Sequence, residues 1–367
     1  MNRTRNISVA FSVAAGFVLF FLAAELLLRG LPAQRGIYAA DPDPSWPVHR
    51  MVPNSEFRYS AGWNFGLVST GHTNSRGYVA PFDYIPGSET IVVLGDSYIE
   101  SAMNPYEDSL QGQLPQLLPN ALPVYNFGIA GSALPDYLGL APYITRDFRP
   151  AWVVVLIGEG DFSEGYAQRP GHFVWADSPV VELVPDQERS PTTKLLRSLA
   201  LTQYLRANLK LDFRGLLGRH GVPEEKPSGC TPAALEPEAG KLVDHYIERL
   251  SQAYGLPPDH VILAFDSESQ RKALYGTRGD VARKSPCPSV DDLALERLRE
   301  RAREAGLQVL ELCPLFAAWH TSTGRRVDHS PVDWHWRREG HAIAATAIRD
   351  LMLQVDTAST HLTAPTP

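Results

Sequence analysis

Ser97, in Gly95-Asp96-Ser97-Tyr98, and the pair Asp333 and His335, in Val332-Asp333-Trp334-His335-Trp336, have residue types and spacing that suit nucleophilic catalysis. A serine hydroxyl is a poor nucleophile near neutral pH. It needs a base within hydrogen-bond reach, and the base needs an orienting acceptor on its other ring nitrogen. Two residues apart, Asp333 and His335 can aim a carboxylate and an imidazole into one cleft. The expectation is that Asp333 fixes the tautomer of His335 while His335 takes the proton from Ser97. His341, six residues on, is expected to cap or pack. Gly-Asp-Ser alone is an ordinary turn, and Asp-x-His alone is weaker still, so the case depends on the elements that position them.

Residues 90–94, Thr-Ile-Val-Val-Leu, form a β-branched apolar run ended by Gly95, which predicts a buried strand opening into a turn at its carboxyl end. Ser97 then falls at the sheet edge where ligands bind in open α/β sheets, with helix N–H groups pointing into the site. Further apolar runs at 124–127, 152–157, 261–265 and 307–312 alternate with helical stretches near 106–117, 134–146, 241–254, 291–304 and 337–353. That alternation implies βαβ units: an α/β, flavodoxin-like three-layer sandwich around a mainly parallel five-stranded sheet. Residues 89–355 would form this domain. No internal repeat is visible.

The stretch 163–240 is too long for a plain connection and reads as an insertion near the site. Between 192 and 217 it carries Leu195, Leu199, Leu205, Leu209 and Leu216 with five basic residues (Lys194, Arg197, Arg206, Lys210, Arg214) against one acid, Asp212. A basic amphipathic helix here would lie on a membrane surface or grip an anionic glycan as a lid; the plainer reading packs its leucines on the domain and solvates its charges. Residues 356–367, polar and Pro/Thr-rich, read as a disordered tail.

Residues 7–24 contain no charge, and apolar character resumes after Glu25 through Leu26, Leu27 and Leu28. The run 7–28 is therefore read as an uncleaved transmembrane anchor, because a cleaved signal peptide has a shorter core and a small-residue cleavage site. Arg3 and Arg5 place residues 1–6 in the cytoplasm by the positive-inside rule. The remainder, beginning with a Pro-, Gly- and aromatic-rich lead-in at 29–88, is then extracytoplasmic, on a single-pass protein of the inner membrane. Three cysteines are too few for a disulfide scaffold and too scattered for zinc. Cys230 and Cys287 sit in loop-like contexts and can pair, leaving Cys313 buried at a strand end; three unpaired thiols is the alternative. A net charge of −7 without a basic arm argues against nucleic acid. No metal or organic cofactor is expected, since His335 and His341 lack the His-Glu-x-x-His arrangement.

These motifs together resemble the SGNH (GDSL-like) hydrolases, a family named for blocks carrying Ser, Gly, Asn and His, over residues 88–355. The resemblance makes Ser97 the nucleophile and its own N–H an oxyanion donor. Val124-Tyr125-Asn126-Phe127-Gly128-Ile129-Ala130-Gly131 resembles the second block, which implies Gly131 as the next donor, with Gly128 second. Asp333 and His335 match the last block, and Asp-x-His-Trp is similar to the version in proteins that acetylate alginate and related exopolysaccharides. The third block departs from the family: Gly158-Glu159-Gly160-Asp161 stands where Gly-x-Asn-Asp is expected. A missing oxyanion donor typically costs about 10²–10³ in turnover. Gly160 by its N–H, or Asn126 by its amide, is the candidate replacement, with the acids Asp96 and Asp161 beside them. Thr73-Asn74-Ser75-Arg76-Gly77-Tyr78 resembles a lead-in of membrane-anchored members that packs on the catalytic domain.

Three functions follow as expectations. The first is an esterase or O-acyltransferase acting on acyl, chiefly acetyl, esters of a periplasmic or cell-surface carbohydrate, with an exopolysaccharide assembly complex as an expected partner. The second is a lipid esterase or lysophospholipase at the membrane, with the insertion as interfacial lid. The third is a carbohydrate-binding or assembly protein that has lost turnover with the asparagine.

Overall fold

The computed structural model describes residues 2–118, 122–176, 180–211, 237–276 and 288–363. In chain order its strands are β1 (Glu56–Ala61), β2 (Leu67–His72), β3 (Glu89–Leu94), β4 (Val124–Asn126), β5 (Arg149–Ile157), β6 (Phe173–Trp175), β7 (Val181–Leu183), β8 (Val261–Phe265) and β9 (Gln308–Glu311). Five of them form a wholly parallel sheet in the order β4-β3-β5-β8-β9. The five apolar runs of the sequence are these strands. Because both faces are covered, β3, β5 and β8 are near-continuous apolar runs instead of alternating ones, whereas the edge strand β9, Gln-Val-Leu-Glu, is only partly buried.

Successive side chains on a strand point to opposite faces, and the core divides accordingly. Val92, Leu94, Val153, Val155 and Leu263 pack with helices Leu134–Gly139, Pro237–Tyr254 and Val290–Glu304. Ile91, Val93, Val154 and Ile262 pack with helices Leu110–Leu117, Leu312–Thr323 and Arg338–Thr363. This is the expected flavodoxin-like three-layer sandwich. The chain order reverses between β3 and β5, so their carboxyl ends open the crevice in which doubly wound folds bind ligands.

Several local expectations are corrected. The helix expected at 106–117 is interrupted: Ser109 is extended, and its Oγ caps Leu110–Leu117 by accepting from Gly112 N at 3.2 Å. The stretch 134–146 is two helices, Leu134–Gly139 and Ala141–Asp147. Helices Glu268–Leu274 and Leu312–Thr323 were not anticipated. Residues 356–363, read as a disordered tail, continue the last helix. Cys313 is a partly buried free thiol near the start of a helix, not a buried strand end, and burial pushes its pKa up to about 12. Cys230 and Cys287 lie outside the described residues.

The N-terminal helix Asn2–Gly30 contains one segment, Phe11–Gly30, long and apolar enough to cross a membrane. Both oxygens of Glu25 accept backbone N–H groups of the insertion, from Ala200 at 3.0 Å and Leu201 at 2.9 Å. The insertion is not one amphipathic helix. It comprises the β6–β7 pair, helix Pro191–Ser198, a break at the extended Leu199, helix Ala200–Gln203 and a π-turn at Tyr204–Asn208. Lys194 is held by Asp41 at 2.7 Å and Glu188 at 3.3 Å, while Leu195 and Leu196 remain exposed. Leu216, Arg214 and Asp212 lie outside the described residues.

The lead-in is a folded part of the domain. β1 and β2 form an antiparallel hairpin, and Trp46, Met51, Phe57 and Tyr78 enter the core. Its turn at Asn74 is built locally. Asn74 Oδ1 accepts from Arg76 N at 3.0 Å and Tyr78 N at 3.1 Å, and Gly77 adopts φ +82° directly against the Met51 carbonyl. A Cβ at this residue meets both a left-handed backbone and the Met51 oxygen. Gly77→Ala should therefore destabilise the domain by more than about 1 kcal/mol, read as a lower urea midpoint with unchanged m-value.

Candidate active site

Five loops at the carboxyl ends of the sheet, or adjacent to them, build the site. After β3, Asp96 caps the short helix Ser97–Glu100, its Oδ1 accepting from Tyr98 N at 2.9 Å. Ser97 is the first residue of that helix. Its Oγ lies 2.8 Å from His335 Nε2, although 238 residues separate them in sequence. His335 Nδ1 is hydrogen-bonded to Asp333 Oδ1, which also accepts the His335 backbone N–H at 2.9 Å. This second bond explains the two-residue spacing: the carboxylate folds back on the backbone of the histidine it orients. His341 lies apart from the triad, fully buried, with Nδ1 accepting from Leu110 N at 3.2 Å and Nε2 paired with Ser101 Oγ at 3.2 Å.

The third side of the aspartate comes from the lead-in, which sequence reasoning did not connect to the site. Tyr59, on β1, donates its hydroxyl to Asp333 Oδ2 at 2.5 Å. The hairpin tip rests on the neighbouring Val332, whose methyls lie 3.2 Å and 3.4 Å from where side chains at Gly62 and Gly66 would begin.

A second unanticipated residue is Arg271, on helix Glu268–Leu274. Its buried guanidinium pairs with Asp266 at 2.9 Å and Asp328 at 3.0 Å, and donates to the Trp334 carbonyl at 2.9 Å and to Tyr98 Oη at 2.6 Å. It therefore ties the residue after Ser97 to the residue before His335. Trp336 adds to the same cluster, its indole N–H donating to Asp266 Oδ2 at 3.0 Å.

On the opposite side of Ser97, the structure separates the proposed oxyanion donors into two groups. The N–H groups of Ser97, Gly131 and Gly160 meet no acceptor among the described residues. The N–H of Gly128, by contrast, is spent on Asn126 Oδ1 at 2.7 Å, and a Cβ there would lie 2.6 Å from Ile99. Asn126 is buried, and its amide nitrogen turns away to the Val79 carbonyl at 3.4 Å. Gly128 thus offers no free N–H, which corrects it as a candidate, while one amide N–H of Asn126 is engaged by Val79. Asp161 is buried beneath the site and accepts from Tyr137 Oη at 3.0 Å.

Electrostatics favour protonation of the histidine once it has taken a proton. Burial alone lowers the His335 pKa, but the hydrogen bond and charge of Asp333, reinforced by Asp96 and Glu268, raise it above the ordinary value. Burial opposes ionisation of Asp333, yet the bonds from His335 and Tyr59 hold its pKa well below the carboxylate range. Burial pushes Asp96 up to about 6, and raises Glu100 and Asp161 as well. A serine, an imidazole and a carboxylate in this order can carry out acyl transfer through a covalent intermediate.

A model of GDSL-like lipase/acylhydrolases matches residues 91–348, well over half of the chain. The chain belongs to this family. It is accordingly a carboxylic ester hydrolase by class. No curated protein matches the sequence significantly. Similar solved structures include LAE5, an alpha/beta hydrolase from the metagenome of Lake Arreo, at 15% identity and TM-score 0.38, covering 73% of this chain and 96% of that one. The acetyl xylan esterase AlAXEase is 12% identical with TM-score 0.38, covering 72% and 98%. A lipolytic protein of the G-D-S-L family from Veillonella parvula is 14% identical with TM-score 0.34, covering 74% and 99%. In this GDSL-like chain, Gly160 stands where the resemblance implied asparagine, and Glu164 reaches to 3.0 Å from where its Cβ would be.

Four outcomes follow. With neutral His335 as the proposed base, kcat/KM should be full above its raised pKa and lost as pH falls through it, with an acid limb above the ordinary histidine value of about 6.5. Asp333→Asn should move that limb to lower pH and reduce the plateau about 10⁴-fold. Tyr59→Phe removes a donor from Asp333, strengthens its hold on the imidazolium and should move the limb upward, with less than about 10-fold loss of plateau. Profiles on 4-nitrophenyl acetate would measure all three. Separately, Arg271→Met leaves Asp266 and Asp328 buried without their cation and should lower unfolding free energy by about 3–5 kcal/mol in urea titration.

Proposed function

We propose that this protein is a membrane-anchored serine esterase or O-acyltransferase of short, chiefly acetyl, esters on a carbohydrate outside the cytoplasm. The observation that carries the chemistry is the 2.8 Å approach of Ser97 Oγ to His335 Nε2, with Asp333 on the far ring nitrogen. In this reading Ser97 Oγ attacks the acyl carbon as its proton passes to Nε2, and the carbonyl π pair moves onto oxygen. The N–H groups of Ser97, Gly131 and Gly160 receive that oxyanion. Collapse breaks the ester C–O bond, and the leaving alkoxide takes the proton from His335. Water or a sugar hydroxyl then gives its proton to His335, attacks the acyl-serine and restores the free enzyme.

A polar alcohol with a small acyl group is favoured by the charged surroundings of Ser97. The charge of Glu268 acts on His335 and that of Glu164 on Asp96, Arg169 pairs with Glu164, and Lys272 pairs with Glu268 and lies over the Trp334 ring at 4.5 Å. The anchor reading rests on segment Phe11–Gly30 and on Arg3 and Arg5 before it, which orient the catalytic domain away from the cytoplasm. A second reading, a lipid esterase, is favoured by exposed Leu195 and Leu196 in the insertion that also binds Glu25 of the N-terminal helix.

A fluorophosphonate probe should label the wild-type protein and leave Ser97→Ala unlabelled. Failure to label wild type would support the third reading, a binding protein without turnover. Across 4-nitrophenyl esters from acetate to decanoate, kcat/KM should fall with chain length; a rise would favour the lipid reading. Product partition toward an acetylated sugar when glycan is added would identify transfer.

A further inference from the structure

Arg169 and Glu164 belong to no part of the triad, yet together they contact both glycines read as oxyanion donors, Gly131 and Gly160. Glu164 follows Gly160 in the loop after β5; its N–H donates to the Gly160 carbonyl at 2.8 Å, and its Oε1 fills the space a side chain at Gly160 would enter. Arg169 Nη2 pairs with Glu164 Oε2 at 2.8 Å. Arg169 Nη1 donates to the Gly131 carbonyl at 2.6 Å and lies 3.0 Å from where a Gly131 Cβ would stand. The guanidinium therefore spans the gap between the two glycines whose N–H groups are unspent. It is held at both ends and remains partly open to solvent, with donors left over, since an arginine has five.

The need for a cation here can be stated physically. Gly160 supplies no side-chain donor, and several carboxylates surround the cleft. Asp96, Glu268 and Asp333 all act on His335, and the Glu164 charge is felt at Asp96. Negative charge that steadies the imidazolium also disfavours the oxyanion formed in the same step. Two or three backbone N–H dipoles face that field, and a fixed positive charge beside them would offset it. Gly131 is also in a left-handed conformation, φ +86°, which its carbonyl bond to Arg169 helps to hold.

We propose that Arg169, tethered by Glu164 and Gly131, is a catalytic residue whose guanidinium stabilises the acyl oxyanion in place of an amide side chain at residue 160. The proposal rests on the reading of Ser97 as nucleophile. Its test is steady-state turnover of 4-nitrophenyl acetate by the full chain in detergent, with fluorophosphonate labelling and thermal melting on the same preparations. Arg169→Ala should lower kcat about 10²-fold with KM within threefold, while still labelling to full stoichiometry at a reduced rate. Arg169→Lys, which keeps the charge, should recover part of that loss. Glu164→Gln, which keeps an acceptor for the arginine but removes its counter-charge, should lower kcat far less than Arg169→Ala.

A purely structural strut predicts otherwise: Arg169→Lys, whose single ammonium cannot reproduce the two-ended guanidinium tether, would fall as far as Arg169→Ala. That outcome would overturn the proposal, as would Arg169→Ala turning over within threefold of wild type while labelling normally. Should Arg169→Ala fail to fold by melting, Arg169→Lys decides alone: kcat within about 10-fold of wild type supports the proposal, and a loss of about 10²-fold overturns it. Wild type that does not label would instead defeat the Ser97 reading, a result distinct from any of these.

Discussion

The site depends on one buried cation. Arg271 is completely shielded from solvent, and two carboxylates, a tyrosine hydroxyl and a backbone carbonyl saturate its guanidinium. A charge this deep is tolerable only because every direction of the fork finds an acceptor. The acceptors come from separate stretches: Tyr98 after β3, Asp266 after β8, Asp328 and Trp334 from the segment before the last helix. Ordering Arg271 therefore orders the serine loop and the histidine loop relative to one another. Catalytic geometry tolerates errors of only fractions of an ångström, and a planar, multidentate donor enforces such positioning better than apolar packing. Glu159 repeats the device on the neighbouring loop pair, where its carboxylate accepts from the hydroxyls of Ser267 and Ser269.

The lead-in extends this support to the amino-terminal end of the chain. Glu25 caps the insertion helix Ala200–Gln203, and the π-turn that follows returns to the hairpin. There Asn208 Nδ2 donates to Ser60 Oγ at 2.8 Å and to the Gly62 carbonyl at 3.1 Å, and Tyr204 Oη donates to the Trp63 carbonyl at 2.7 Å. Tyr59, beside Ser60, reaches Asp333. A continuous series of hydrogen bonds thus runs from the N-terminal helix to the triad carboxylate. The insertion is a brace between these parts, which accounts for its position against the hairpin and for the pairing of Lys194 with acids of the domain.

What the sequence disclosed and what it hid divide along physical lines. Strands buried on both faces, such as β3, β5 and β8, announce themselves as apolar runs and were legible, as were the shorter β4 and β9 and the turn that carries Ser97. The pairing of Asp333 with His335 was legible because the two are local. Tyr59 was not: a tyrosine in an aromatic-rich lead-in carries no sign of a partner 274 residues away. Arg271 sits in a short helix, Glu-Ser-Gln-Arg-Lys-Ala-Leu, too brief and polar to show periodicity. The preference for Gly131 over Gly128 as donor could not be settled from sequence, since it turns on which N–H Asn126 consumes. The tail was misread because its polar Thr/Ser composition was weighed without the preceding helix, which carries helical geometry through residue 363.

The distribution of charge around Ser97 reconciles two demands that pull against each other. The base must accept a proton readily, which calls for carboxylates near His335, and the acyl oxygen must become negative a few ångströms away, which those carboxylates oppose. Burial moderates the conflict. Asp96, pushed up to about 6, together with the raised Glu100 and Asp161, is easier to neutralise than a surface acid and so contributes less field as protons become available. Asp333 is the exception, kept ionised by the bonds of His335 and Tyr59. The permanent negative charge thus lies on the far side of the imidazole from the serine, while Arg169 lies on the glycine side. With Arg169 acting as proposed, a field directed from its guanidinium toward the Asp333 carboxylate would favour proton transfer and oxyanion formation together.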